Sequence, residues 1–219
     1  MSDVRGVLFD FGNTLFAHAS LASTIEASCT ALGSPRPTQW AESLAARVEA
    51  AAHTDEELRH PRDLDMHVWR ARWHVLYALA DDEVRNLGAT IYAGMHDPLQ
   101  WLPYTTTAAT LARIHGAGIP IAVVSNTGWD VREVFIAHHL DRFVSAYVLS
   151  YEIGAVKPAA AIFESACEAL GLPPTECLMV GDDARADSGA LSAGLRVLLV
   201  PAQPPGADNG VDAAARIVT

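Results

Sequence analysis

The stretch Val7-Leu8-Phe9-Asp10-Phe11-Gly12-Asn13-Thr14-Leu15 decides how the rest of the chain is read. Its apolar run, Val7 to Phe9, delivers an aspartate and then breaks at Gly12-Asn13. A short apolar run closed by turn residues reads as a buried strand ending in a tight loop. In open α/β sheets, ligands bind just beyond the carboxyl ends of the strands. Asp10 therefore stands where chemistry is usually done. A carboxylate there can attack phosphorus, ligate a hard cation, or do both. An aspartate that merely caps the turn is the plainer reading, and this stretch alone does not separate the two.

Outward from this strand the pattern first turns helical, from Phe16 to about Met95. Leu21 to Leu32 carries apolar residues at helical spacing and stops at Gly33-Ser34-Pro35. Trp40 to Ala52 and Asp65 to Leu79 read the same way, and Asp81-Asp82-Glu83 reads as the acidic start of a fourth helix running towards Met95. An alternation of helices and strands follows. Thr106 to His115, Val131 to His138, Ala159 to Leu170 and Ser188 to Ala193 read as helices. Ile119 to Val124, Ala146 to Leu149, Cys177 to Val180 and Leu195 to Val200 read as strands. Such alternation predicts a parallel sheet covered on both faces with right-handed crossovers. The expected organisation is an α/β, Rossmann-like core over residues 1–15 and 97–219, with an α-helical cap inserted over 16–96.

Composition bounds the function. The chain has 219 residues, half of them hydrophobic, which suits one sizeable core with a smaller insert. A net charge of −11 argues against nucleic acid or an anionic membrane as the main partner. The three cysteines, Cys29, Cys167 and Cys177, form no CxxC pair and read as reduced, mostly buried thiols of a cytoplasmic protein. The N-terminal residues lack the pattern of a secretory leader, and no apolar run approaches the ~18 residues of a membrane span.

Several strand ends present polar groups to one edge of this sheet. The first gives Asp10, the second Ser125 and Asn126, and a later one Asp182, Asp183 and Asp187. Lys157 lies just before a helix, in Gly154-Ala155-Val156-Lys157-Pro158. A carboxylate, a hydroxyl, a lysine and an acidic cluster at one edge suit phosphoryl transfer, which depends on positioning and charge neutralisation. Mg²⁺ takes near-octahedral oxygen ligands, often one or two carboxylates plus phosphate and water. Lys157 is also the one lysine of the chain, while arginine occurs throughout.

These four segments, in this order, resemble the motifs of the haloacid dehalogenase-like superfamily, in its phosphatase form with a helical cap after the first motif. The resemblance runs from Asp10 to Gly194, the last motif being Val180-Gly181-Asp182-Asp183 with Asp187 and Gly189-Ala190-Leu191-Ser192-Ala193-Gly194 behind it. It implies that Asp10 is a nucleophile that forms an aspartyl-phosphate. Ser125 and Asn126 would hold phosphoryl oxygens through hydroxyl and main chain, and Lys157 would neutralise charge. Asp10, Asp182 and the main-chain carbonyl of Gly12 would ligate Mg²⁺. The implied partner is a small phosphorylated metabolite, and the implied state a monomer or homodimer.

The chain departs from the family pattern at two places. Two residues past the nucleophile the phosphatases carry an aspartate as general acid and base, and here Gly12 stands instead. General acid–base catalysis is worth about 10²–10⁴ in rate. The expected consequence is a slower phosphatase, a substrate with a good leaving group such as an anomeric phosphate, or a substitute acid. His18 is the nearest candidate for that acid, with a solvated loop histidine as the plainer reading. Asp187 stands one residue closer to the following helix than in some relatives, which leaves open whether it or Asp183 supports the metal. A non-catalytic protein that binds a phosphorylated ligand or a protein partner is the alternative, supported by Gly12 alone. The 2-haloacid dehalogenases of the superfamily lack that aspartate too, but they lack an acidic fourth motif, and a cap without lysine excludes Schiff-base chemistry there. In the cap, Trp69 and Trp73, one turn apart, read as core-facing. Arg70 and Arg72 are left open, and Trp129 divides evenly between lining the site and packing against the cap.

Overall fold

Strand β1 (Gly6–Phe9) is buried at all four positions, which only a strand covered on both faces can be. The structure is a computed structural model that describes residues 4–219; the leader reading rests partly on residues 1–3, outside the described residues. Beyond β1 the chain forms β2 (Phe16–His18), β3 (Trp101–Pro103), β4 (Ile121–Ser125), β5 (Ala146–Leu149), β6 (Cys177–Gly181) and β7 (Arg196–Leu199). Five of these make a sheet in the order β5-β4-β1-β6-β7, and every pairing in it is parallel. Phe9 faces Val123 of β4 on one side and Val180 of β6 on the other. The loops carrying Asp10, Ser125 and Asp182 therefore leave the sheet side by side. They do so where the strand order reverses, the crevice in which α/β sheets bind ligands.

Alternation along β1 divides the core. Val7 and Phe9 pack on one face with Leu111, Ile114 and Phe135. Leu8 packs on the other with Ile162, Phe163 and Met179. The insert has a core of its own around Ile25, Leu44, Val48, Leu76, Leu87 and Ile91. Its main helices are Leu21–Ala31, Thr38–Ala52, Met66–Tyr77 and Leu87–Met95.

Two expectations for the insert are corrected. Phe16–His18 is a strand, not the start of a helical region; it pairs antiparallel with β3, so a two-stranded ribbon stands at both ends of the insert. Three residues are too few to register a periodicity. The fourth helix starts at Leu87, after the acidic run, with Asn86 left-handed at φ 65°. Asp81 still serves its N-terminus, from outside, by accepting a hydrogen bond from the Gly88 N–H (2.8 Å). All three cysteines are free and buried, as the sequence suggested.

Candidate active site

Asp10 is held on three sides. Its backbone N–H donates to the Val180 carbonyl (2.9 Å), extending the β1–β6 ladder into the loop. Thr14, fully buried, donates its hydroxyl to Asp10 Oδ2 (3.1 Å) and lies 3.4 Å from Asp182 Oδ1. Asn13 turns the chain at φ 57°, and Asn209 from the C-terminal segment donates to the Thr14 carbonyl (3.0 Å), locking the loop. On the third side Lys157 donates from Nζ to Asp10 Oδ1 (2.5 Å) and to Asp187 Oδ1 (2.7 Å).

Lys157 is itself positioned by Asn126, whose side chain accepts from the Lys157 N–H (2.7 Å) and donates to the Lys157 carbonyl (3.0 Å). The Asn126 carboxamide is thus committed to the lysine loop. The Ser125 hydroxyl, by contrast, has no hydrogen-bond partner among the described residues, although the residue is only 5% exposed. Gly181 makes room for Asp187: a Cβ there would stand 2.0 Å from Asp187 Oδ2. The same Oδ2 accepts the Asp183 N–H (3.0 Å). Asp183 turns its own carboxylate away, onto the N–H groups of Arg185 (2.7 Å) and Ala186 (3.0 Å). Of the two aspartates left open by the sequence, Asp187 is the one in the cluster.

Asp10, Asp182 and Asp187 each offer a carboxylate oxygen within 4.8 Å of the others. Burial raises the Asp10 pKa; Lys157 opposes this and Asp187 adds to it. Asp182 is pushed up to about 6, first by burial and then by the charges of Asp10 and Asp187. Burial works against the Lys157 ammonium, but Asp10 and Asp187 outweigh it and hold its pKa above the usual lysine value. Three carboxylates around one ammonium are a donor set that a hard divalent cation fits, since it neutralises the excess and takes oxygen ligands.

All the residues singled out at the strand ends line one cavity of about 370 Å³: Asp10, Gly12, Ser125, Asn126, Lys157, Asp182, Asp183 and Asp187. His18 does not. Its Nδ1 lies 2.7 Å from the Ala19 carbonyl and its Nε2 3.2 Å from that of Gly94, so both ring nitrogens are turned to main-chain carbonyls outside the cavity. The structure gives it no place in the cavity beside Asp10. Trp69 and Trp73 line the cavity and are only partly buried; Trp73 also packs against the core of the insert, as expected, whereas Trp69 lies outside that cluster. Helical spacing reveals a shared face, but not which side of the insert faces the core domain. Trp129 lines the cavity too, while Arg72 forks onto the buried Glu57 and Arg70 is exposed and away from the cavity. Sequence reasoning missed His96, Trp101 and Tyr77, which lie in no motif. His96 donates from Nδ1 to the Tyr92 carbonyl (2.8 Å) and accepts the Trp69 indole N–H at Nε2 (2.8 Å), an arrangement that assigns the neutral tautomer. Burial holds its pKa below the usual histidine value.

The insert reaches the site by a close approach. At Gly128 a Cβ would stand 2.4 Å from Trp69 Cβ and 2.5 Å from the Arg62 carbonyl oxygen. Beside it the Ser150 hydroxyl donates to the Asp63 carbonyl (2.5 Å) and accepts the Thr127 N–H (2.9 Å).

A family model for haloacid dehalogenase-like hydrolases matches residues 4–194. The chain belongs to this family. Among curated proteins it is similar to a glyceraldehyde 3-phosphate phosphatase of Methanopyrus kandleri, 28% identical over 88% of this chain and 82% of that protein. It is also similar to the (S)-2-haloacid dehalogenase H-109 of Pseudomonas putida, 24% identical over 93% of this chain and 88% of the other. A solved dehalogenase structure superposes with a TM-score of 0.70 at 21% identity, covering 99% of this chain and 98% of that one. This hydrolase therefore has the Rossmann-like fold with a helical insertion that the motifs implied.

Proposed function

We propose that this hydrolase is a phosphatase that cleaves phosphate monoesters through a phosphorylated Asp10. The observation that carries the reading is the cluster of Asp10, Asp182 and Asp187 around Lys157, beside the unpartnered Ser125 hydroxyl. Asp10 Oδ attacks phosphorus, the ester P–O bond breaks, and the leaving oxygen departs with its electron pair. Water then attacks the aspartyl-phosphate, releasing inorganic phosphate and restoring Asp10. Ser125 donates its hydroxyl to a phosphoryl oxygen, with the Asn126 main chain beside it. Lys157 sits where it offsets charge on Asp10 and on the transferring group. Asp10, Asp182 and the Gly12 carbonyl would hold Mg²⁺, with Asp187 supporting from behind; the ion supplies charge neutralisation at the phosphoryl oxygens. A phosphatase name among the relatives agrees with this reading.

A dehalogenase name occurs among them as well. A haloacid would bring a further carboxylate to three already present, with no cation offered beyond Lys157. Gly12 favours a second reading, a weak or silent enzyme that binds a phosphorylated ligand. Three free, buried cysteines support a cytoplasmic location.

Phosphate release over a panel of monoesters, with Mg²⁺ and with EDTA, tests the proposal, Asp10→Asn serving as the blank. Release that needs Mg²⁺ and vanishes in the blank is expected; chloride release from 2-chloropropionate that persists in EDTA would replace it with the dehalogenase reading. Gly12→Asp has room, since a Cβ at residue 12 would meet only Trp101 Cζ3, at 3.8 Å. It should raise turnover of esters with poor leaving groups by about 10²–10⁴. A folded wild type that is silent, together with a silent Gly12→Asp variant, would favour the binding role.

A further inference from the structure

The wall of the cavity beyond the phosphate end is aromatic and carries no compensating charge. A chain of rings runs from the residue after the nucleophile into the insert. Phe11 lies 4.7 Å from Trp101, and Trp101 lies 6.0 Å from Trp129, centroid to centroid. Trp129 meets His96 at 5.2 Å, and His96 meets Trp69 at 6.1 Å. Trp69 meets Trp73 at 5.6 Å, and Trp73 stacks on Tyr77 at 5.2 Å. All seven line the cavity.

The polar atoms on this wall are mostly spent. The Trp101 indole donates to the Met95 carbonyl (3.1 Å), and the Trp69 indole to His96 (2.8 Å). The Thr127 hydroxyl is engaged with the Trp129 backbone, and the Asn126 carboxamide with Lys157. A sugar, which must pair several hydroxyls when buried, finds few partners here. Among the described residues, Lys157 is the only lysine or arginine lining the cavity, and it already bridges two aspartates. A second anionic group on the substrate would be buried without a counter-charge. Three donors on the wall stay open among the described residues: the buried Trp73 indole N–H, the Trp129 indole N–H, and the hydroxyl of Tyr77, a residue only 3% exposed. Burial raises the Tyr77 pKa, so it stays a donor.

Where the relatives with an acid at position 12 would protonate the leaving oxygen, this chain has Gly12 with the Trp101 ring over it. A leaving group that departs as a stabilised anion needs no such acid. From the rings, the committed polar atoms and the indole over Gly12, we infer that the substrate is the phosphate monoester of an uncharged phenol, whose ring lies against this wall and whose acceptor group, if it has one, meets Tyr77. The inference rests on the phosphatase reading. The P–O bond breaks, the Asp10–P bond forms, and the aryl oxide leaves with the electron pair and takes its proton from water.

The test compares kcat/KM with Mg²⁺ for phenyl, 4-carboxyphenyl, 4-acetylphenyl and cyclohexyl phosphate, with Asp10→Asn as the blank. Phenyl phosphate should exceed 4-carboxyphenyl phosphate by about tenfold or more, although the carboxylated phenolate leaves at least as readily. It should exceed cyclohexyl phosphate by about 10² or more, a ratio that narrows in Gly12→Asp. The advantage of 4-acetylphenyl over phenyl phosphate should shrink in Tyr77→Phe. Asp10-dependent release that is equal across the series, or that favours the carboxylated or the alkyl ester, would overturn this inference and leave the phosphatase reading standing. No Asp10-dependent release from any of the four, with the protein folded, or from the wider panel, would remove both.

Discussion

Removing the ammonium of Lys157 probes the charge arrangement at its centre. In Lys157→Met the side chain keeps much of its length, but Asp10 and Asp187 lose the Nζ that stands 2.5 Å and 2.7 Å from their carboxylates. Lys157 is 6% exposed, Asp10 8% and Asp187 0%, so water does not replace what is lost. Taking one partner from a buried ion pair costs about 3–5 kcal/mol. Here two carboxylates lose one shared cation, so a loss near the top of that range, about 4–5 kcal/mol, is expected at neutral pH. With an m-value of about 2 kcal/mol/M, the urea midpoint falls by roughly 2 M. The pH dependence fixes the cause. Burial already holds Asp10 above the usual carboxylate range, and Lys157 is the main influence pulling it back. Without the lysine the folded state of the variant binds a proton at Asp10 more tightly than the unfolded chain does. Its stability therefore recovers as pH falls from about 7 towards the usual carboxylate range near 4. In the wild type the raised Lys157 pKa contributes stability below the usual lysine value and loses it only as pH rises through the higher folded value. The gap between the two proteins should thus narrow on acidification. Urea melts at about pH 7 and about pH 5 measure it. A loss below ~1 kcal/mol, or one equal at both pH values, would refute the reasoning.

Three further outcomes follow from contacts already described. Gly181→Ala forces a methyl to 2.0 Å from Asp187 Oδ2 and should displace that carboxylate, destabilising the fold by about 1–3 kcal/mol; a urea midpoint within error of wild type would show that the aspartate moves freely. Gly128→Ala should hold the insert off the core at Trp69 and Arg62, raising KM while the urea midpoint changes little, as steady-state kinetics on the preferred ester would read; an unchanged KM counts against the seating. His96→Gln removes a partly buried neutral imidazole whose folded pKa is depressed; the wild type loses stability as pH falls below the usual histidine value of about 6.5, and the variant should lose less, as melts between about pH 7 and pH 5 would show.

The core domain was legible because its signals are local and repeated. Each strand is a short apolar run ending at a turn, and the site residues follow the strand ends, so their convergence comes from topology alone. Residues with long-range duties were not legible. Asn209 reaches back to the Thr14 carbonyl across 195 positions, and nothing in Asp208-Asn209-Gly210 marks it as more than a turn. Thr14 sits in the first motif, four residues after Asp10, yet its place between two carboxylates depends on the later strand that brings Asp182. The ribbon of β2 and β3 was hidden for the same reason: its strands are three residues long and pair across the whole insert. Trp69 and Trp73 carried a helical spacing that fits an internal core and a cavity wall equally well, and only the seating of the insert separates the two.

That seating also ties the two halves of the site together. The carboxylate end of the cavity, with Asp10, Ser125, Lys157 and Asp182, comes from the sheet and the loops around it, outside the insert. The aromatic wall is shared: Phe11 and Trp129 come from loops at the sheet edge, Trp101 from the ribbon, and His96, Trp69, Trp73 and Tyr77 from the insert. The chain of rings passes from core to insert where Trp129 meets His96, and next to it Gly128 approaches Trp69 closely. Separation there would leave the carboxylates in place but strip the cavity of its aromatic wall and open Asp10 to water. In the proposed reaction, the closed contact would keep that water out and strengthen the charge interactions at Asp10. Glycine at 128 is therefore a requirement of the approach, since a Cβ there would clash with Trp69 and with the Arg62 carbonyl. In the proposed reaction, selectivity for the leaving group and protection of a phosphorylated Asp10 would depend on the same contact, so a substitution that props it open should weaken both together.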